Sequence, residues 1–113
     1  MQEKPRRDAG AKSKKNTKVF EVELLLEAEL EFSEAYDWYE EQQSGLGNRF
    51  FKEVNHYLQL IENNPFHFQV RYPEDLRAAS LKIFPYLIIY WIDQKNEMAF
   101  VTSIFHTSRA PKY

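Results

Sequence analysis

The sequence predicts an α+β fold: an N-terminal strand, a two-helix antiparallel hairpin, then a three-stranded antiparallel meander, with the helices packed on one sheet. Two stretches repeat their apolar residues at helical spacing, residues 28–43 and 46–64. Three extended apolar runs follow them, residues 76–84, 86–93 and 98–105. Because each helix carries one apolar stripe, both need a common surface to cover, and the strands supply it.

The first strand and the first helix are predicted from a change of period. Residues 19–26 begin as an alternation of apolar and polar side chains, which is typical of a strand. The stretch 28–43 then places an apolar stripe at i, i+3, i+4 and i+7, formed by Phe32, Ala35, Tyr36 and Tyr39. Gly45 follows where a glycine commonly caps the C-terminus of a helix, so we expect the helix to end there.

The second helix has the most regular pattern in the chain. Its apolar residues step by four, four, four and three, at Leu46, Phe50, Val54, Leu58 and Ile61. Pro65 ends it, because proline cannot continue a helix and restrains the preceding residue. Two helices with so short a joint are expected to pack antiparallel.

The C-terminal half is predicted to be strands separated by turns. Residues 65–75 form a loop, and the strand at 76–84 ends because Pro85 interrupts it. Residues 86–93 are nearly all β-branched or aromatic, so we expect them to form the central strand, buried on both faces. The polar stretch 94–97 makes the turn into the last strand.

Length and charge indicate one domain, residues 19–113, preceded by a polar basic tail, residues 1–18, which we expect to be disordered. The tail has seven Lys or Arg and two Asp or Glu, whereas residues 19–64 have two and eleven. A protein that binds nucleic acid through general electrostatics is usually basic throughout, so any such contact here is local. The tail is a solvated extension, a basic arm for nucleic acid or a partner, or the product of a misplaced start codon.

Several classes of protein are disfavoured by what the sequence lacks. The chain has no cysteine, which excludes disulfides and cysteine-based metal sites. No apolar run approaches the roughly 20 residues of a membrane span, and no apolar stretch follows the first charges as in a secretory signal. We therefore expect a cytoplasmic protein without a membrane partner. The acidic residues of 21–31 cross a strand–helix boundary, so we interpret them as a solvated face rather than a metal site, and we expect no cofactor.

An ordered set of landmark residues runs along the chain. It consists of residues 34–42 in the first helix, then 45–50, Glu53-Val54, Asn64-Pro65, Arg77, Phe84-Pro85-Tyr86, Ile88-Ile89-Tyr90, Phe105-His106 and Arg109-Ala110-Pro111. No single piece is specific. Taken in this order over residues 20–111, the set resembles the ParE/RelE family of small bacterial toxins, also known as plasmid stabilisation proteins, from type II toxin–antitoxin pairs.

The resemblance implies a toxin held inactive in a hetero-oligomer by a cognate antitoxin, whose C-terminal segment wraps around it. RelE-like members enter the ribosomal A site and cut messenger RNA, whereas ParE-like members poison DNA gyrase and have no known catalysis of their own. Residues 19–113 carry eight basic and fifteen acidic groups. Ribosome binding needs many phosphate contacts, so this balance favours the ParE-like branch. A third possibility is a degenerate member that only binds its partners.

A RelE-like mechanism would need an acid, a base and cations around the scissile phosphate. His106 is the candidate acid or base, because histidine titrates near neutrality. Arg109 and Arg77 would stabilise the phosphate, and Lys82 and Tyr86 would join them if the strands bring these residues to one face. The alternative for His106 is a local hydrogen bond at the end of its strand.

The family resemblance also suggests a surface for the antitoxin. Trp38 and Phe66 are the predicted aromatic anchors, flanked by Arg49 and Arg71, which suits an amphipathic partner. Ordinary packing remains the alternative for each of these residues.

Overall fold

A computed structural model describes residues 19–108 and shows two helices packed on one face of a five-stranded, mostly antiparallel sheet. The elements are β1 (Glu21–Leu24), α1 (Leu26–Gln42), α2 (Leu46–Asn63), β2 (Val70–Tyr72), β3 (Leu76–Ser80), β4 (Tyr86–Asp93) and β5 (Met98–His106). The predicted α+β fold is confirmed, with its N-terminal strand, helical hairpin and antiparallel meander. The predicted basic tail, residues 1–18, and Arg109 lie outside the described residues.

The sheet contains pairings that the sequence pattern did not predict. Its strand order is β1-β5-β4-β3-β2, so β1 reaches the edge beside β5, with which it pairs in parallel. The short strand β2 lies in a segment predicted to be a loop, and it pairs with β3 at the other edge. Only three residues form β2, too few for a periodic signal to stand out.

The first helix begins two residues earlier than predicted and ends one residue earlier. Its N-cap, Leu25, makes no side-chain capping bond, so the residue that starts the helix lacks the usual sequence signal. Leu26 is 70 % exposed, which places it outside the apolar stripe on which the prediction rested. The stripe itself is correct, because Phe32 and Ala35 are buried.

The joint between the helices is held by one carboxylate. Glu40 on α1 accepts hydrogen bonds from the backbone N–H groups of Gly45 and Gly47, each at 2.8 Å. Gly45 has a φ of 91° and serves as the N-cap of α2, whereas the C-cap of α1 is Gln43, so the predicted helix cap was two residues off. A Cβ on Gly47 would lie 2.8 Å from the carbonyl oxygen of Tyr36, so only glycine lets the helices approach this closely.

The core lies on both sides of β4. On the helical side, Ile88 and Tyr90 are fully buried against α1 and α2. On the opposite side, Leu87 and Ile89 form a second buried cluster with Ala78. The prediction of a central strand is therefore confirmed, and its burial on both faces holds for residues 86–90 but not for Trp91, which is exposed. Within residues 19–108, neither helix combines the length and apolar character needed to cross a membrane.

Candidate functional site at one end of the central strand

The predicted catalytic residues are distributed between the two ends of β4. Tyr86, at the start of β4, pairs with His106 on β5. Arg77 on β3 pairs with Tyr90, four residues further along β4, which corresponds to about 13 Å of strand. Arg77 therefore does not share a site with Tyr86 and His106.

At the Tyr90 end, polar groups fasten the chain segment that follows α2. The Arg77 guanidinium donates a hydrogen bond to the carbonyl of Phe68 at 2.6 Å and a weaker one to that of Phe66 at 3.4 Å. It also stands over the Phe66 ring, 5.2 Å from the centroid. The Tyr90 hydroxyl donates to the carbonyl of Pro65 at 2.6 Å. The fork of Arg77 is thus directed at backbone carbonyls of its own chain.

Burial is the main influence on the Tyr90 phenol. Removal from water disfavours the phenolate and raises the pKa of Tyr90 to about 12, and the positive charge of Arg77 offsets a part of this rise. The hydroxyl therefore stays protonated at neutral pH and remains a donor to Pro65.

At the Tyr86 end, aromatic packing and local hydrogen bonds surround His106. The Tyr86 ring is buried and meets the His106 ring edge to face, with centroids 5.0 Å apart. The Nδ1 atom of His106 accepts a hydrogen bond from the backbone N–H of Ser108 at 3.1 Å. This is the local bond considered above as the alternative to catalysis. In a neutral His106 it assigns the proton to Nε2.

The loop between β3 and β4, residues 81–85, is organised by a carboxylate from α2. Glu53 accepts three backbone N–H bonds, from Lys82 at 2.9 Å, Ile83 at 2.8 Å and Phe84 at 3.0 Å. The strand predicted at residues 76–84 therefore ends at Ser80 and not at Phe84, because these N–H groups turn toward Glu53 and cannot pair with a strand. The Phe84 ring is buried against Tyr39, with centroids 4.9 Å apart.

The same loop is joined to the end of β5. The carbonyl of Pro85 accepts hydrogen bonds from the backbone N–H of Thr107 at 2.8 Å and from its hydroxyl at 3.2 Å. Lys82 and Ile83 remain on the outside, and Ile83 is 68 % exposed. The structure thus brings Lys82, Tyr86 and His106 to one end of the sheet, with Tyr86 beneath the surface.

Sequence reasoning used Glu53 only as a landmark of the family resemblance and gave no role to Ile83. Glu53 is one acidic residue among many, and the backbone groups that it binds lie 29 to 31 residues away in the chain. Ile83 continues the apolar run of β3, so its exposure had no local signal.

Glu31 is a second carboxylate with an unexpected position. The sequence pattern predicts a solvated face for the acidic residues of 21–31. Glu31, however, accepts bonds from the Ser103 hydroxyl at 2.9 Å and the Ile104 N–H at 2.8 Å. These donors follow the irregularity in the β4–β5 register, where β1 no longer pairs with β5. Glu31 therefore ties α1 to the part of β5 that β1 leaves uncovered.

The predicted antitoxin-binding residues form two separate pairs. Trp38 and Arg49 lie toward the α1–α2 joint, whereas Phe66 and Arg71 follow the far end of α2. A helix of 18 residues is about 27 Å long, so the pairs are well separated. Trp38 is 56 % exposed, whereas one side of the Phe66 ring meets Phe20, and Arg77 stands over its face.

A cleft of about 530 Å³ lies next to Arg71, between α2 and the β2–β3 edge. Its lining consists of Tyr57, Leu60, His67, Phe68, Gln69, Arg71, Ala78 and Ser80. The cleft is open to solvent and mixes apolar with polar groups, as an ordinary depression between a helix and a sheet edge does.

Comparison with known proteins assigns the family. The model of the ParE toxin of the type II toxin–antitoxin system parDE matches residues 22–111. Among solved structures, the chain is similar to one from the chromosomal ParDE toxin–antitoxin system of P. aeruginosa, with a TM-score of 0.69 and 10 % identity, over 80 % of this chain and 98 % of that chain. This likeness shows a shared fold. No curated protein matches. Because the family model spans most of the sequence, the chain belongs to the ParE toxin family.

Proposed function

We propose that this chain is the toxin of a type II toxin–antitoxin pair, that it poisons DNA gyrase by binding to it, and that a cognate antitoxin neutralises it. The match of the ParE toxin family model to residues 22–111 carries this proposal. The charge balance supports the same branch, because eight basic groups against fifteen acidic ones in residues 19–113 suit a protein target better than the ribosome.

The positions of the candidate catalytic residues also favour binding over RNA cleavage. Arg77 is engaged with the carbonyls of Phe66 and Phe68, and Tyr86 is buried among aromatic rings. Among the described candidates, Lys82 is exposed and His106 is half-buried at the same end of the sheet. One candidate cation, Arg77, is therefore held away from the candidate acid or base, and cations near the scissile phosphate are what stabilise its developing charge.

Pulse-labelling of DNA and protein synthesis after brief induction in a bacterial host tests the target. Gyrase poisoning predicts that incorporation of labelled thymidine falls first. An earlier fall in labelled methionine would support ribosomal cleavage instead. A host in which neither label falls would indicate a chain without toxicity, as expected for a degenerate member.

A RelE-like ribonuclease is the second candidate, and it is favoured by the contact between His106 and Tyr86, with the exposed Lys82 at the same end of the sheet. His106→Ala separates the two mechanisms. Gyrase poisoning predicts nearly unchanged growth arrest, whereas acid–base catalysis predicts a loss of about 100-fold or more. Circular dichroism of the purified His106→Ala variant is the control, because a loss of growth arrest indicates lost catalysis only if the fold is retained.

Neutralisation can be tested at the two predicted antitoxin pairs. We expect Trp38→Ala to weaken co-purification with the product of an adjacent antitoxin gene, because Trp38 has the more open ring. Phe66→Ala should weaken it less, because one side of that ring already packs against Phe20. If both variants co-purified as much antitoxin as the wild type does, neither Trp38 nor Phe66 would be an anchor.

A further inference from the structure

Ile83 is exposed on a segment whose backbone is fixed. Its side chain is 68 % exposed at the tip of the β3–β4 loop, whereas its neighbour Phe84 is buried. Among the large apolar residues described as exposed, only Leu26 exceeds it, at 70 %. Exposure of a single apolar side chain is common and does not by itself indicate a binding site. What sets Ile83 apart is the loop that carries it.

The loop is held in place from three directions. Glu53 reaches from α2 to accept the N–H groups of residues 82–84. Phe84 anchors the loop in the core against Phe50, with ring centroids 5.3 Å apart. From the end of β5, Thr107 binds the carbonyl of Pro85. A backbone fixed in this way loses little entropy when its tip is bound, which is the condition for tight binding by a small contact.

The surroundings of Ile83 are polar and include a positive charge. Lys82 precedes it and is exposed, and Thr107 and Ser108 are exposed at the neighbouring end of β5. The carboxylate of Glu53 is occupied by backbone N–H groups. An apolar anchor inside a polar rim is the usual composition of the energetic centre of an interface.

We infer that the β3–β4 loop is the contact by which this chain binds its target, with Ile83 as the apolar anchor and Lys82 as the charged rim. The partner that fits is a folded protein with an apolar pocket for one branched side chain and a carboxylate at the edge of that pocket. A single exposed side chain on a fixed loop fits a concavity in a folded surface, whereas a wrapping antitoxin segment needs grooves and faces. The inference rests on the proposed function, and it assigns target binding to one loop.

The test compares two exposed apolar residues in the full chain. Ile83→Ser removes the anchor and Leu26→Ser, on α1, is the matched control, because both side chains are largely exposed. We expect the intracellular level of chain needed for half-maximal growth arrest to rise about tenfold or more for Ile83→Ser. It should stay within about twofold for Leu26→Ser, with unchanged melting temperatures for both. Ile83→Val, which keeps a branched apolar side chain, should restore most of the effect.

Each other result counts against the loop. Growth arrest by Ile83→Ser at wild-type levels of chain would overturn the inference, as would equal losses in Ile83→Ser and Leu26→Ser. Loss of antitoxin co-purification in Ile83→Ser with arrest retained would assign the loop to the antitoxin and also overturn it. A wild-type chain that causes no arrest would instead refute the proposed function, and that result is seen before any variant is compared.

Discussion

The two ends of β4 are built from similar parts and use them differently. Each end has a buried tyrosine that faces the helices, a basic residue on or beside β3 and a connecting segment held by side-chain hydrogen bonds. At the Tyr90 end, Arg77 is turned inward to the carbonyls of Phe66 and Phe68. At the Tyr86 end, a carboxylate holds the segment, and Lys82 faces outward.

This difference shows how a basic side chain becomes available for a partner. Backbone groups need hydrogen bonds wherever the chain turns away from a sheet. At the Tyr90 end the orphan groups are carbonyls, so a cation satisfies them and is no longer available. At the Tyr86 end the orphan groups are N–H donors, so Glu53 satisfies them and Lys82 remains for external contact. The ends should therefore respond in opposite ways to loss of their basic residue.

The largest expected effect on stability is at Arg77. Arg77→Met should lower the free energy of unfolding by about 2–3 kcal/mol, because it leaves the carbonyls that Arg77 binds without their donor. Arg71→Met, on the adjacent exposed strand, is the control and should stay within about 0.5 kcal/mol. Urea denaturation measures both. If Arg77→Met lowered the free energy of unfolding no more than Arg71→Met does, Arg77 would not be needed internally, and the contrast with Lys82 would fail.

Glu53→Gln should cost less, about 1–2 kcal/mol, because the amide oxygen still accepts some of the three bonds but without a charge. Hydrogen exchange should identify where the loss occurs. We expect faster exchange at the amides of residues 82–84, with little change in the α1–α2 joint. Glu34→Gln, an exposed acid on α1, serves as the control. If the amides of residues 82–84 exchanged at the wild-type rate in Glu53→Gln, this carboxylate would not be what organises the loop.

Tyr90→Phe should cost about 1 kcal/mol at neutral pH, through the lost bond to Pro65. The pKa of Tyr90, raised from 10.0 to about 12, adds a dependence on pH. Between these values the unfolded chain releases the phenolic proton and the folded chain keeps it. The contribution of Tyr90 is therefore complete below pH 10 and is lost as the pH rises toward 12.

Urea midpoints of the wild type and Tyr90→Phe from pH 8 to 11 measure this dependence. The wild-type chain should lose stability relative to the variant above pH 10. Parallel curves would show that the phenol titrates alike in the folded and unfolded chains.

The smallest effect is expected at Lys82. Lys82→Ala should change the free energy of unfolding by less than about 0.5 kcal/mol, because the side chain is exposed and only its backbone is bound by Glu53. Growth arrest should weaken severalfold if Lys82 forms the charged rim of the target contact. A loss of stability as large as that expected for Arg77→Met would show that Lys82, too, is used internally.

Much of the fold could be predicted because its signals are local. The stripe of α2 and the β-branched run of β4 are periodic within a few residues, and both lie where the patterns place them. The end of β3 could not be predicted in this way, because residues 81–84 continue an apolar run. Their backbone is captured by Glu53, which lies 29 residues before Lys82.

The candidate site was predictable as a set of residue types but not as a geometry. His106 and Tyr86 meet because β4 and β5 pair in one register, which includes an irregularity beside Ile89. Arg77 is distant because it lies opposite Tyr90. Sequence order alone contains neither fact. The carboxylates show the same limit, since Glu31, Glu40 and Glu53 bind donors elsewhere in the fold. Other acidic residues of α1, such as Glu34 and Glu41, are exposed, and residue type alone does not separate the two groups.

The central claim is that this chain acts by binding gyrase, and supercoiling of relaxed plasmid by purified gyrase tests it most directly. Increasing amounts of the purified full chain should block supercoiling or trap cleaved DNA, with His106→Ala as effective as the wild type and Ile83→Ser about tenfold weaker or more. Undiminished supercoiling at a large excess of chain, together with cleavage of messenger RNA on purified ribosomes that His106→Ala abolishes, would contradict the account.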